Sequence, residues 1–267
     1  NVSENTVAVA SAFGDLGFMT YTPGGASGSF QDPFRDLESR SYPQQDPPTN
    51  LHAIWVSSDW QTFVGAVTDS TDSAFHPMRA ALLDADVLTG EISVTVLPGI
   101  IDFVIDEVAR HQLDLECGPL KGAPATEQLC VFTSGFDGPA FASQLQDLER
   151  DGYVAIFTVD SFDGSSELLY WDYGNARVGG GIFSVDGSTT GVAVANQYTD
   201  ALEVWHVRDR EIVEAFPLAF DQPCSNPIDL ILIADGRRGA LACQATSPPD
   251  HSVLVIRNLD THLPPPS

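Results

Sequence analysis

The sequence predicts an all-β fold made of short repeated sheets, and three observations carry that prediction. Long amphipathic stretches of helical period are almost absent from the 267 residues. Short apolar runs recur instead, each bounded by turns containing Asp, Gly or Pro. Hydrophobic residues make up 43% of the chain, enough to give such strands a common core.

The clearest unit runs over Leu51–Pro98: LHAIWVSSD, TFVGAVTD, the loop STDSAFHP, MRAALLDAD, the turn LTG and EISVTVLP. A second copy spans 182–220 and a third 228–259, and a looser one covers 151–178. The internal spacing is regular. Trp171 follows Asp151 by 20 residues, Trp205 follows Asp186 by 19, and Ile256 follows Asp235 by 21. Repeats of roughly 40–45 residues with four short strands are the signature of a β-propeller. Four-stranded blades are expected at 51–98, about 100–147, about 144–180, 181–220 and 226–263, hence five, or six if residues 1–49 form their own. The last unit has three strands. Its missing outer strand is expected from NTVAVASAF within residues 1–13, a closing strand that would hide an open sheet edge. Residues 14–50, rich in Pro, Gly, Ser and Gln, read as a long loop or docking arm before the blades of 51–267.

These units resemble blades of the WD40/YVTN class. Tyr170-Trp171-Asp172 stands where a WD dipeptide would, and Asp84-Ala85-Asp86-Val87-Leu88-Thr89-Gly90-Glu91 looks like the turn into a fourth strand. The Gly-His element of WD40 blades is missing, so the resemblance is to the blade pattern. It covers residues 51–263 and implies a fold without implying an activity.

Charge narrows the partners. Twelve Lys+Arg stand against 37 Asp+Glu, a formal charge of −25, and lysine occurs once, at Lys121. Such a chain has few cations to neutralise nucleic-acid phosphates or to dock on anionic lipid. A salt-exposed surface and a GC-rich codon bias both produce this skew. No run of about 18 apolar residues is present, so no membrane span is expected. The chain starts at Asn1 without a charged-then-apolar leader and reads as a mature or excised product. Cys117, Cys130, Cys224 and Cys243 lack the close pairing of a zinc site; two disulfides in an exported protein are the preferred reading, and four buried thiols the alternative. Strand positions favour the pairings Cys117–Cys130 and Cys224–Cys243.

Candidate chemistry concentrates in the loops joining second to third strands, predicted at Thr68–Pro77, Gly118–Thr126, Val159–Ser166, Asn196–Asp200 and Thr246–Ser252. They supply a ligand-face set of Asp69, Asp72, His76, Tyr198, Asp200, Asp250 and His251. Asp160, Asp163 and Glu167 offer hard oxygens around a glycine turn, and calcium is the one cofactor they suggest. Turn preference alone also enriches exposed loops in Asp. No nucleophile elbow, HExxH or phosphate loop occurs, and His206 lies inside an alternating strand, where a structural role is expected. Trp55, Trp60, Trp171 and Trp205 are expected in the core rather than as a sugar platform. The leading functional expectation is a non-enzymatic extracellular or cell-surface propeller, periplasmic being equally open, that binds other subunits or a glycan and can self-assemble. The alternative is a carboxylate-dependent hydrolase, glycosidase- or lactonase-like, with its acid and base in a central funnel; a funnel pair with one raised pKa would favour it.

Overall fold

The computed structural model describes residues 6–10, 16–20, 49–57, 62–69, 77–86, 91–97, 103–104, 111–136, 152–219, 224, 226–232, 238–243 and 252–257. They contain strands and turns and no helix, so none that is long and apolar enough to cross a membrane. The chain divides into two compact units, Asn1–Asp106 and Glu107–Ser267.

In the first unit, β1 (Thr6–Ala10) pairs antiparallel with β2 (Leu16–Thr20). The strands β3 (Thr49–Val56), β4 (Phe63–Asp69), β5 (Pro77–Asp86) and β6 (Glu91–Val96) then form an antiparallel sheet in chain order. A short β7 (Phe103–Val104) pairs with the start of β5. This sheet has the four strands expected over 51–98. Val64, Ala66, Ala80 and Ala81 at its centre are fully buried, small residues suited to close packing on both faces.

The second unit holds three sheets, each a meander. The first is β8 (His111–Pro119), β9 (Glu127–Phe136), β10 (Tyr153–Asp160) and β11 (Ser166–Tyr173). The second is β12 (Arg177–Ser184), β13 (Thr190–Asn196), β14 (Ala201–Arg208) and β15 (Glu211–Ala219). The third is β16 (Pro227–Leu232), β17 (Arg238–Cys243) and β18 (Ser252–Arg257). Two apolar layers join them. Leu129, Val131, Val154 and Ile156 pack against Val192, Val194, Trp205 and Val207 between the first two sheets. Ala193, Ala195, Leu202 and Val204 meet Leu230, Leu241 and the Cys224 and Cys243 side chains between the last two.

Burial follows strand position. Every residue of β13 is buried because its sheet is covered on both faces, whereas the outermost β15 alternates exposed and half-buried residues along EIVEAFPLA. The first strand of three sheets carries a β-bulge near its start, at Leu51/Ala53, Val178/Gly180 and Pro227/Asp229. A bulge bends the strand and sharpens its twist where the next sheet begins.

Three expectations are corrected. The blades expected at about 100–147 and 144–180 are one sheet over 111–173: the Cys117–Cys130 pair closes a β8–β9 hairpin, so Tyr153–Asp160 becomes a third strand, not a second. Ser166–Tyr173 is therefore the outermost strand; Trp171 is 58% exposed instead of buried, while Trp205, on the third strand of its sheet, lies in the core, Trp55 is half-buried and Trp60 lies outside the described residues. The N-terminal strand was expected to complete the last sheet, yet Thr6–Ala10 pairs with Leu16–Thr20, and among the described residues no strand joins β18. A partner a few residues away costs little chain entropy, which favours the local hairpin. Most of the loop expected at 14–50 lies outside the described residues, Leu16–Thr20 and the first residues of β3 excepted.

Candidate functional site

Three acidic residues come together where the first strands of the second unit's sheets approach one another. Asp114 and Glu116 alternate on β8, and Asp229 lies on β16. The intervening strand, β12, is built as Arg177-Val178-Gly179-Gly180-Gly181. Its glycines permit the approach. A Cβ on Gly180 would stand 2.6 Å from a Val131 methyl, and one on Gly179, at φ +61°, would stand 2.2 Å from the Leu230 nitrogen. The Gly180 N–H donates to Asp114 Oδ2 at 3.0 Å.

Burial and the neighbouring carboxylates hold Asp114 and Glu116 protonated to unusual pH. Burial, then the charge of Asp229, pushes Asp114 up to about 6 against the bond from Gly180. Burial, then Asp114 and Asp229, pushes Glu116 up to about 8. At neutral pH Glu116 keeps its proton while Asp114 ionises, so a donor and an acceptor stand two residues apart on one strand. That is the pKa separation that assigns an acid and a base in carboxylate enzymes. None of the three was among the sequence candidates. The signals were present in HQLDLECG, where two acids alternate in an apolar strand, and in the triple glycine, which marks close backbone approach.

The ligand-face candidates are only partly within the described residues. Asp69 ends β4, and Asp72, His76, Asp250 and His251 lie outside those residues. Tyr198 and Asp200 occupy the β13–β14 turn, the predicted second-to-third connection. Tyr198 is 41% exposed, and its N–H, with that of Thr199, bonds to Asn196 Oδ1 at 2.9 and 3.0 Å. Asp200, raised by burial, accepts from the Asn226 N–H at 3.2 Å and so ties this turn to the start of the next sheet.

Asp160, Asp163 and Glu167 lie instead on the third-to-fourth connection of their sheet, because 153–160 is a third strand; the Gly118–Thr126 loop likewise joins first to second. Asp160 and Asp163 each turn one oxygen to the loop itself, accepting from Phe162 and Ser165 N–H at 2.8 Å. The bonds from Ser165 hold Asp163 below the usual carboxylate range. The nearby cation is Arg210, paired in a fork with the buried Glu127 at 2.7 Å and attracted further by Glu167 and Asp160. Among the described residues no three His, Cys, Asp or Glu side chains gather as a metal-binding group.

Other polar groups brace the sheets. Arg177, its side chain 3% exposed, donates to Asp172 Oδ2 at 2.7 Å, to Glu203 Oε2 at 2.6 Å and to the carbonyls of Gly174 and Asn175. His206 is fully buried, with Nδ1 3.1 Å from Glu214 Oε2 and its ring edge-on to Phe216, as its strand position suggested. Cys117–Cys130 spans directly opposed residues of β8 and β9, with Cα atoms 4.1 Å apart. Cys224–Cys243 ties the approach to β16 to the end of β17 at 5.4 Å. Both expected pairings are present, with Cys117 on a first strand rather than a second. Disulfides of this kind belong to an oxidising compartment.

No protein-family model matches the chain, and no curated protein matches it. Several solved structures are similar. A functionally unknown protein from Desulfotomaculum acetoxidans is 13% identical, with a TM-score of 0.44 over 95% of this chain and 67% of its own. An oligogalacturonate lyase in complex with manganese is 10% identical, with a TM-score of 0.48 over 97% of this chain and 61% of its own. An α-L-arabinofuranosidase from Fusarium graminearum, bound to an iminosugar inhibitor, is 12% identical, with a TM-score of 0.41 over 79% of this chain and 59% of its own. The chain thus spans about six-tenths of the length of the last two.

Proposed function

We propose that the chain is an exported, disulfide-braced module of propeller type that associates with further copies of itself rather than catalysing a reaction. The observation that carries this reading is the outer face of the last sheet. Ile231, Val253 and Val255 are 61%, 66% and 59% exposed. Register sets Ile231 beside Ala240 and Val255, and places Ala242 and Val253 in the next row, so these residues form an apolar strip with Asp229 at its edge. A soluble surface keeps such a strip where it meets a partner. With a net charge of −25, copies repel one another, and an uncharged strip is where they can approach. Its ends differ in sign: Asp229 stands near one, and the exposed Arg238 at the other. A two-fold contact sets each Asp229 toward the partner copy's Arg238.

The test is sedimentation velocity over a concentration series, in calcium and then in EDTA, for the natural chain and for Val255→Asp. Concentration-dependent association that the substitution abolishes supports the reading. Growth in calcium alone would assign the bridging to carboxylates, and a monomer throughout would overturn self-association.

A second reading, the carboxylate-dependent hydrolase, is favoured by one observation: the separated acidities of Glu116 and Asp114. In it Glu116 protonates the leaving group and Asp114 activates water.

A further inference from the structure

Trp171 and Tyr173 are each 58% exposed, on the outermost strand of the 111–173 sheet. Residues two apart on a strand project from the same face, with their origins about 6.6 Å apart. These rings are mounted on a rigid base. Across the strand pair they stand opposite Ala155 and Tyr153. Tyr153 is 4% exposed and lies stacked with Trp171, with centroids 6.4 Å apart and planes 22° apart. Tyr153 in turn packs against the buried Phe132 at 6.3 Å. The chain beyond Tyr173 is pinned as well. Gly174 N–H donates to the Gly152 carbonyl at 2.9 Å, and Arg177 holds the Gly174 and Asn175 carbonyls. A Cβ on Gly152 would fall 1.9 Å from Asn175 O, so the turn is seated directly on the neighbouring strand.

We propose that Trp171 and Tyr173 form a docking platform for a neutral polysaccharide, each ring stacking on the C–H face of a sugar. Aromatic faces carry negative charge density that attracts polarised C–H groups, and they add contact area at little entropic cost. Charge selects the ligand class. Asp172, between them in sequence, projects from the opposite face of the strand, where it is ion-paired with Arg177 at 2.7 Å, so the rings' own face of this strand carries no carboxylate. A polyanion is repelled by the molecule as a whole, at a net charge of −25, and a cationic peptide finds no acid of this strand on the face that bears the rings. The platform lies on a different sheet from the apolar strip of residues 231, 253 and 255, so failure of either proposal leaves the other standing.

The test is isothermal titration with cellohexaose, xylohexaose and chitohexaose, and with hexa-arginine as the rival. At least one oligosaccharide is expected to bind the natural chain. Trp171→Ala is expected to weaken that binding by about tenfold or more, with Trp171→Phe retaining most of it and thermal unfolding unchanged in both. Tyr173→Ala should weaken it by a smaller factor. The proposal is overturned if none of the three sugars binds, if Trp171→Ala binds as well as the natural chain, or if hexa-arginine binds these rings more tightly than any sugar.

Discussion

At Glu116, burial and two neighbouring carboxylates act in the same direction, and its ordinary value of 4.5 rises to about 8. The consequence for stability has a definite sign. Below pH 4.5 the folded and unfolded chains both carry the proton. As pH climbs toward 8 the unfolded chain ionises freely while the folded one holds its proton, so stability falls across that window. Asp114 adds the same trend between its ordinary 3.8 and about 6. Glu116→Gln removes the larger part of this cost. It should match the natural chain in urea unfolding at pH 4 and exceed it at pH 8 by on the order of 1–3 kcal/mol; an equal gap at both pH values would refute the assignment. Arg177 shows the opposite economy. Its burial is tolerated because two carboxylates and two carbonyls accept from it, a pattern that braces β11, β12 and β14 together. Neither cluster could be read from the chain beforehand, since each joins residues of strands whose neighbours were unknown.

Among the elements, β12 decides how closely the sheets of the second unit approach. Most strands obtain packing from Val, Ile and Leu; here Gly179, Gly180 and Gly181 make room instead. Gly180→Ala must displace the Val131 side chain, and a cost of about 1–3 kcal/mol is expected. Gly187, with nothing within 4 Å of the added atom, is the control, and Gly187→Ala should change stability by less than about 0.5 kcal/mol. Equal effects in denaturant titrations of the two would show that the close approach is not real. Strand sequences such as YVAIFTVD and VLVIR were legible because apolar, β-branched runs bounded by turns have few other uses. Their rank within a sheet was not. A continuously apolar strand is compatible with first, second or third place, so the spacing puts Tyr153–Asp160 second and Trp171 in the core, where the structure has a third strand and an exposed ring.

For the molecule as a whole, covalent bracing is expected to matter in the last sheet. It has three described strands, an exposed outer face, and one disulfide linking residues 19 apart. Closing a loop of that length removes conformations from the unfolded chain and contributes roughly 2–4 kcal/mol. Replacing Cys224 and Cys243 together by serine should lower Tm by roughly 5–15 °C. Hydrogen exchange should then accelerate first in β16 and β17. Acceleration spread evenly over all sheets would instead make the disulfide a global constraint.

What the sequence determined by itself was the secondary structure class, the unit at 51–98, the two cysteine pairings and the strongly acidic charge balance. These depend on local periodicity, turn chemistry and total charge, all of which are properties of the chain in order. Only tertiary structure decided that 111–173 is a single sheet, that Trp171 faces solvent, and that Asp114 and Glu116 on one strand feel Asp229 from a strand more than 100 residues away. Those facts follow from which sheet lies against which, and a sequence records that only through small residues such as the glycines of β12, whose meaning appears once the neighbouring strand is known.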